Sequence, residues 1–97
     1  MTVYWTQTAI DHLQAIRDHI ARNSPGYAQA LVDRVTRRTE TLAATPMLGA
    51  AVPEYSDESI REVLEHPYRI IYRTGTDRVD VLAVVHGARR LPRTPPG

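Results

Sequence analysis

Three strand-like stretches follow one another in the second half of the chain, and they restrict the fold more than any other feature. Residues 79–85 form a more continuously apolar run, while 60–65 and 68–73 interleave Val, Ile, Leu or Tyr with charged side chains on a period near two. That is how strands are written when one face rests on a core. Thr74-Gly75-Thr76-Asp77-Arg78 supplies a hairpin turn between the last two, and His66-Pro67 ends or turns the first. Arg61, Arg69 and Arg73 recur on this sheet without being needed for its core. Guanidinium groups offer planar, bidentate donors to phosphate or carboxylate. The expectation is a basic platform on the free face of the sheet.

The first half reads as one short strand and two helices. Residues 2–5 are rich in β-formers and suit an edge strand. Thr8 with Asp11 three residues on resembles a capping box. Ala9, Leu13, Ile16 and Ile20 then fall on one helix face as far as about Arg22. Ser24-Pro25 is an N-cap followed by a first-turn proline. Ala28, Leu31, Val35 and Leu42 give a second stripe, and Pro46 is expected to close that helix. Residues 47–57 read as a loop with room for a short strand near 51–53. The order is β-α-α-β-β-β. It is an α+β fold, a helical hairpin on one face of a small, mostly antiparallel sheet whose other face stays partly open. Residues 1–92 form the single domain, and 93–97, rich in proline, form a flexible tail.

Composition removes several functions. With 97 residues there is room for one domain only. Absence of cysteine excludes disulfides and thiolate metal sites and suits a reducing cytoplasm. Absence of lysine excludes a lysine base or Schiff base. No apolar run is long enough to span a bilayer, and the first residues lack the pattern of a secretion signal. A net charge of +1 conceals an asymmetry. Residues 1–58 hold five arginines against seven acids, and residues 59–97 hold seven against four.

Individual residues admit two readings each. Arg69 and Arg73 share a strand face and suit a polyanion, or they form ion pairs across the sheet with Glu62, Glu65 or Asp80. Arg61 faces the same choice. His86 ends the last strand before Gly87, as a general acid–base or as a donor to a strand-end carbonyl. Arg89, Arg90 and Arg93 make a basic tail that either binds or is simply solvated. His12 and His19 lie near one helix face but lack a third ligand, so no metal and no cofactor is expected.

Taken in order, these pieces resemble a known family. A tryptophan on the first strand is followed by Ala9-x-x-x-Leu13-x-x-Ile16-x-x-x-Ile20, Ser24-Pro25, Leu42 with Pro46 and Gly49, and Ile60-Arg61-Glu62. Tyr68-Arg69-Ile70-Ile71-Tyr72-Arg73 and Val81-Leu82-x-Val84-x-His86-Gly87-x-Arg89 complete the pattern. From Val3 to about Pro92 the chain is similar to RelE/ParE-type toxins of bacterial type II toxin–antitoxin systems, and to the ParE-like group more than the RelE-like one. The resemblance implies the same architecture, growth inhibition, a cytoplasmic setting and a cognate antitoxin protein in a hetero-oligomeric complex. ParE-like members inhibit DNA gyrase by binding. RelE-like members act on the ribosome as mRNA interferases, endonucleases that cut mRNA. YoeB-like members do so with a Glu, an Arg and a C-terminal His-Tyr pair. Glu54, Arg69 and His86 stand roughly where three of those would, with Arg61 and Arg73 beside them, but Gly87 replaces the tyrosine. Arg61, Arg69, Arg73, Arg89 and Arg90 are the expected target- or antitoxin-binding residues. A relic that only binds its antitoxin is the third possibility.

Overall fold

In a computed structural model covering residues 1–97, the chain builds β1 (Thr2–Trp5), α1 (Gln7–Ala21), α2 (Pro25–Glu40), β2 (Ala50–Ala51), β3 (Ile60–Glu65), β4 (Tyr68–Thr74) and β5 (Arg78–His86). The five strands form one sheet in the order β1-β5-β4-β3-β2, with β1 parallel to β5 and every other pair antiparallel. The expected α+β architecture is the observed one. The helical hairpin carries the chain over one face of the sheet between β1 and β2, and β1 then lies on the outer edge beside the last strand, β5. No helix is long and apolar enough to cross a membrane.

Local chemistry sets the helix ends. Ser24 caps α2 by accepting from the Tyr27 N–H, with Pro25 in the first turn, as the sequence reads. The start of α1 differs from expectation. Thr6, not Thr8, is the N-cap: its Oγ1 accepts from the Ala9 N–H at 3.2 Å and donates to the Val81 carbonyl at 2.9 Å. The second bond ties the helix start to β5, a reason no local capping box contains. α2 also stops earlier than Pro46 suggests. It ends at Glu40 and tightens into a 3₁₀ turn over Thr41–Ala43 that buries Leu42.

The sheet has a core on each side. Under the helices, Ala9, Leu31, Val35 and Leu42 pack on Val63, Ile70, Tyr72, Val79, Val81 and Val84. A bulge in β5 opposite Ile71/Tyr72 then changes the alternation: Ile71 pairs with Ala83 but Tyr72 with Val81, so Leu82 has no opposite residue. Leu82 and Ala83 consequently both reach the outer cluster. The outer face is therefore open only in part: Leu64 and Arg73 stay exposed on it, while its middle is covered. Val52, Tyr55 and Leu91 fold onto Ile60, Ile71, Leu82, Ala83 and Val85 there, and all are buried. Tyr55 Oη donates to the Pro92 carbonyl at 2.8 Å, which joins the 52–55 loop to the C-terminal segment. That cover exists because β5 is apolar on both faces.

Candidate functional site

The bulge and the outer cover decide what each arginine of the expected platform can do. Arg61 pairs in register with Tyr72, which belongs to the helix-side core, so it projects to that side of the sheet. Its Nε donates to the Gly49 carbonyl at 2.9 Å and its Nη1 to the Glu58 carbonyl at 3.1 Å, with the Glu58 carboxylate at 3.6 Å. Arg61 thus fastens the loop ahead of β2 rather than joining Arg69 and Arg73. Arg73 is exposed on the outer side and makes no ion pair.

Arg69 stands at the centre of the outer face and is only 11% exposed. Four hydrogen bonds hold it. Nε and Nη2 donate to Glu62 at 2.6 and 3.2 Å, and Nη1 and Nη2 donate to Glu54 at 2.8 and 2.9 Å. Two carboxylates thus grip one guanidinium in bidentate fashion, leaving one of its five N–H bonds uncommitted. The group carries a net charge of −1. Hydrogen bonding to Glu54 and then Glu62 pushes the Arg69 pKa upward, and the same bond from Arg69 holds Glu54 below the usual carboxylate range. The pairing of Glu62 with Arg69 is the ion-pair alternative considered from sequence. Glu54 comes from the loop and closes the clamp. Glu65, by contrast, lies on the helix side and binds Arg34 of α2 at 3.1 Å.

His86 ends β5, exposed, opposite Tyr68 in register. The two rings meet edge to face with centroids 5.9 Å apart. Its Nδ1 accepts from the Ala88 N–H at 3.1 Å, which turns the chain at Gly87. Arg69, Tyr68 and His86 line one cleft of about 350 Å³ with the His66-Pro67 turn at its end. The structure therefore places Arg69 and His86 of the sequence reading on one cleft and bonds Glu54 to Arg69 outside its lining, and it leaves Arg61 apart from all three.

Arg89 and Arg90 lie on the opposite edge of β5. They line a larger cleft of about 460 Å³ with Thr8, His12, Leu91 and Pro96. Two further features escaped the sequence reading. An apolar groove of about 270 Å³ runs along the helical hairpin between Trp5, Leu13 and Val32, and Arg34, Arg37 and Arg38 gather on α2. Helical spacing alone signals the arginine cluster, because positions 34, 37 and 38 share one face.

A two-helix hairpin on a five-stranded mixed sheet, with a clamped arginine on its outer face, defines a small α+β protein. Residues 3–91 match the family model described as ParE toxin of the type II toxin–antitoxin system parDE. Toxin RelE2 of Caulobacter vibrioides is 34% identical over 88 residues, 90% of this chain and 96% of that protein. A solved structure described as the chromosomal ParDE TA system from P. aeruginosa superposes with a TM-score of 0.74 at 25% identity, over 89% of this chain and 95% of that one. The chain belongs to the ParE toxin family of type II toxin–antitoxin systems. Membership implies an antitoxin protein as partner.

Proposed function

We propose that this toxin arrests growth by binding and inhibiting DNA gyrase, without bond-breaking chemistry of its own. The state of Arg69 is the observation that supports this reading. A nuclease of this fold needs a guanidinium free to neutralise the charge that builds on a scissile phosphate. Here that guanidinium spends four N–H bonds on two carboxylates that give the group a net −1 charge. A phosphate would have to displace a carboxylate to reach it. Glu54, whose pKa is lowered by the same contact, is also a poor general base at neutral pH. No tyrosine follows His86, and the next residues are Gly87 and Ala88. Arg73 remains exposed and without an ion pair, suited to an acidic protein surface.

The second reading is ribosome-dependent mRNA cleavage, favoured by the single cleft that Arg69 and His86 share. One variant separates the two. Under gyrase inhibition, His86→Ala leaves growth arrest largely intact. Under cleavage, it costs roughly 10²-fold, as loss of a general acid–base does. Growth arrest on induction of each variant reads the outcome. If neither gyrase nor mRNA is affected by the wild-type chain, it is an antitoxin-binding relic.

The antitoxin is expected to cover the helical hairpin and the exposed arginines with an acidic, amphipathic segment in a toxin–antitoxin hetero-oligomer. The groove along the hairpin offers the apolar contact, and the excess of arginine beyond residue 58 offers the charge. The product of the adjacent reading frame should co-purify with this chain in a salt-resistant complex. A free, stable and harmless monomer would count against it.

A further inference from the structure

We propose that the cleft between the first turns of α1 and the segment after β5 is a phosphate-binding site, built by His12, Thr8, Arg89 and Arg90. Beyond Val81, the edge of β5 away from β4 has no strand beside it, since β1 pairs only as far as Trp5 with Val81. α1 occupies that edge instead, and His12 Nδ1 accepts the Val84 N–H at 3.3 Å. The bond fixes the ring tautomer. Nδ1 is the acceptor, so the neutral ring carries its proton on Nε2, which makes no hydrogen bond within the chain. Burial, and then the positive charge of Arg89, lower the His12 pKa and favour that neutral form.

The remaining lining is complementary to an oxyanion. Arg89 and Arg90 are exposed and make no ion pair, and the Thr8 hydroxyl has no partner within the chain. Asp11, the acid nearest in sequence, is engaged by the Gln7 side-chain amide at 2.8 Å. Thr8 also belongs to the first turn of α1, a 15-residue helix whose amino end adds positive potential. The floor, made of Ala83, Val85 and Leu91 with Pro92 and Pro96, is apolar and lowers the local dielectric, which strengthens these charge-assisted contacts. A volume of about 460 Å³ exceeds what one phosphate fills and leaves room for an attached sugar or base. Two guanidinium forks with an imidazole N–H and a hydroxyl offer more donors than the two oxygens of one carboxylate engage, and suit the larger set of oxygens on a phosphate.

The site is read in the isolated chain, so its test is independent of whether gyrase or the ribosome is the target. Inorganic phosphate is titrated into ¹⁵N-labelled protein at constant ionic strength, and separate titrations use glutamate and a short single-stranded oligonucleotide. Saturable shifts of Thr8, His12, Arg89, Arg90 and the Val84 amide are expected with phosphate and not with glutamate. The double variant Arg89→Ala/Arg90→Ala, which alters only exposed side chains, should weaken phosphate binding about tenfold or more, while Arg22→Ala leaves it unchanged. Oligonucleotide binding at the same residues, tighter than phosphate, assigns the site to a nucleic-acid backbone. Equal affinity assigns it to free phosphate or a mononucleotide. No saturable shift, shifts centred elsewhere, or equal binding of glutamate would overturn the proposal.

Discussion

Arg69→Ala is expected to lower the stability of the folded chain by about 3 kcal/mol or more. The cost comes mainly from leaving Glu62 largely buried without its partner. Arg69 and Glu62 have side chains only 11% and 13% exposed, at 2.6 Å. Glu54, at 40% exposure, can turn to water and contributes less. A midpoint shift in urea unfolding reads the loss. The double variant Arg69→Leu/Glu62→Leu should recover most of it, because the buried charges then leave together. An unchanged midpoint in Arg69→Ala would mean that the clamp is not formed in solution. The pH response follows the same contact. Glu54 is held below its unfolded value of about 4.5. Its contribution is therefore present above that unfolded value and is lost as pH falls through the depressed folded value. Arg69→Ala removes that part of the acid sensitivity, which unfolding curves across pH 3–6 would reveal.

Gly49→Ala is the second large effect, with an expected loss of about 3 kcal/mol from overpacking. A Cβ on Gly49 would overlap the Glu62 carbonyl oxygen and sit 2.8 Å from Tyr72 Oη, and the backbone of β3, paired on both sides, cannot give way. The position is pinned on three sides. Gly49 N–H donates to Tyr72 Oη at 2.9 Å, Tyr72 Oη donates to the Pro46 carbonyl at 2.8 Å, and Arg61 Nε donates to the Gly49 carbonyl. The fully buried Tyr72 thus carries its hydroxyl into the loop that leads to β2. Tyr72→Phe offers an independent check. It leaves the Gly49 N–H unpaired in a buried place and should cost about 1–3 kcal/mol without any steric clash. If thermal unfolding shows Gly49→Ala as stable as wild type, the loop does not approach β3 as described.

Those two sites also show where the sequence was legible. The helices were written plainly, because Ala9, Leu13, Ile16 and Ile20, and Ala28, Leu31 and Val35, keep helical period. The Ser24-Pro25 start needs nothing from elsewhere in the chain. Thr6 was illegible as a cap because half its bonding goes to Val81, 75 residues away. Period-two reading placed Arg69 and Arg73 on one face and Tyr72 on the other. It could not see the bulge at Leu82, which depends on pairing between β4 and β5. Nor could it see that Val52, Tyr55 and Leu91 fold over the outer face, since that cover is a contact between distant segments. Arg69 admitted two readings, a polyanion contact or a pair with Glu62, and the pair is the one formed. Its freedom depended on Glu54, which lies in a loop without periodicity. His12 was legible as a helix-flank residue, while its bond to Val84 was set by tertiary placement alone.

The most direct measurement is a gyrase supercoiling assay with purified toxin, run beside a cell-free translation reaction in which mRNA ends are mapped by primer extension. Inhibition of supercoiling that saturates with toxin, persists in His86→Ala and is reversed by the antitoxin, with intact mRNA, is the expected result. Full supercoiling at excess toxin, together with cuts confined to translated codons that vanish in His86→Ala, would contradict it and make Glu54, Arg69 and His86 a catalytic set.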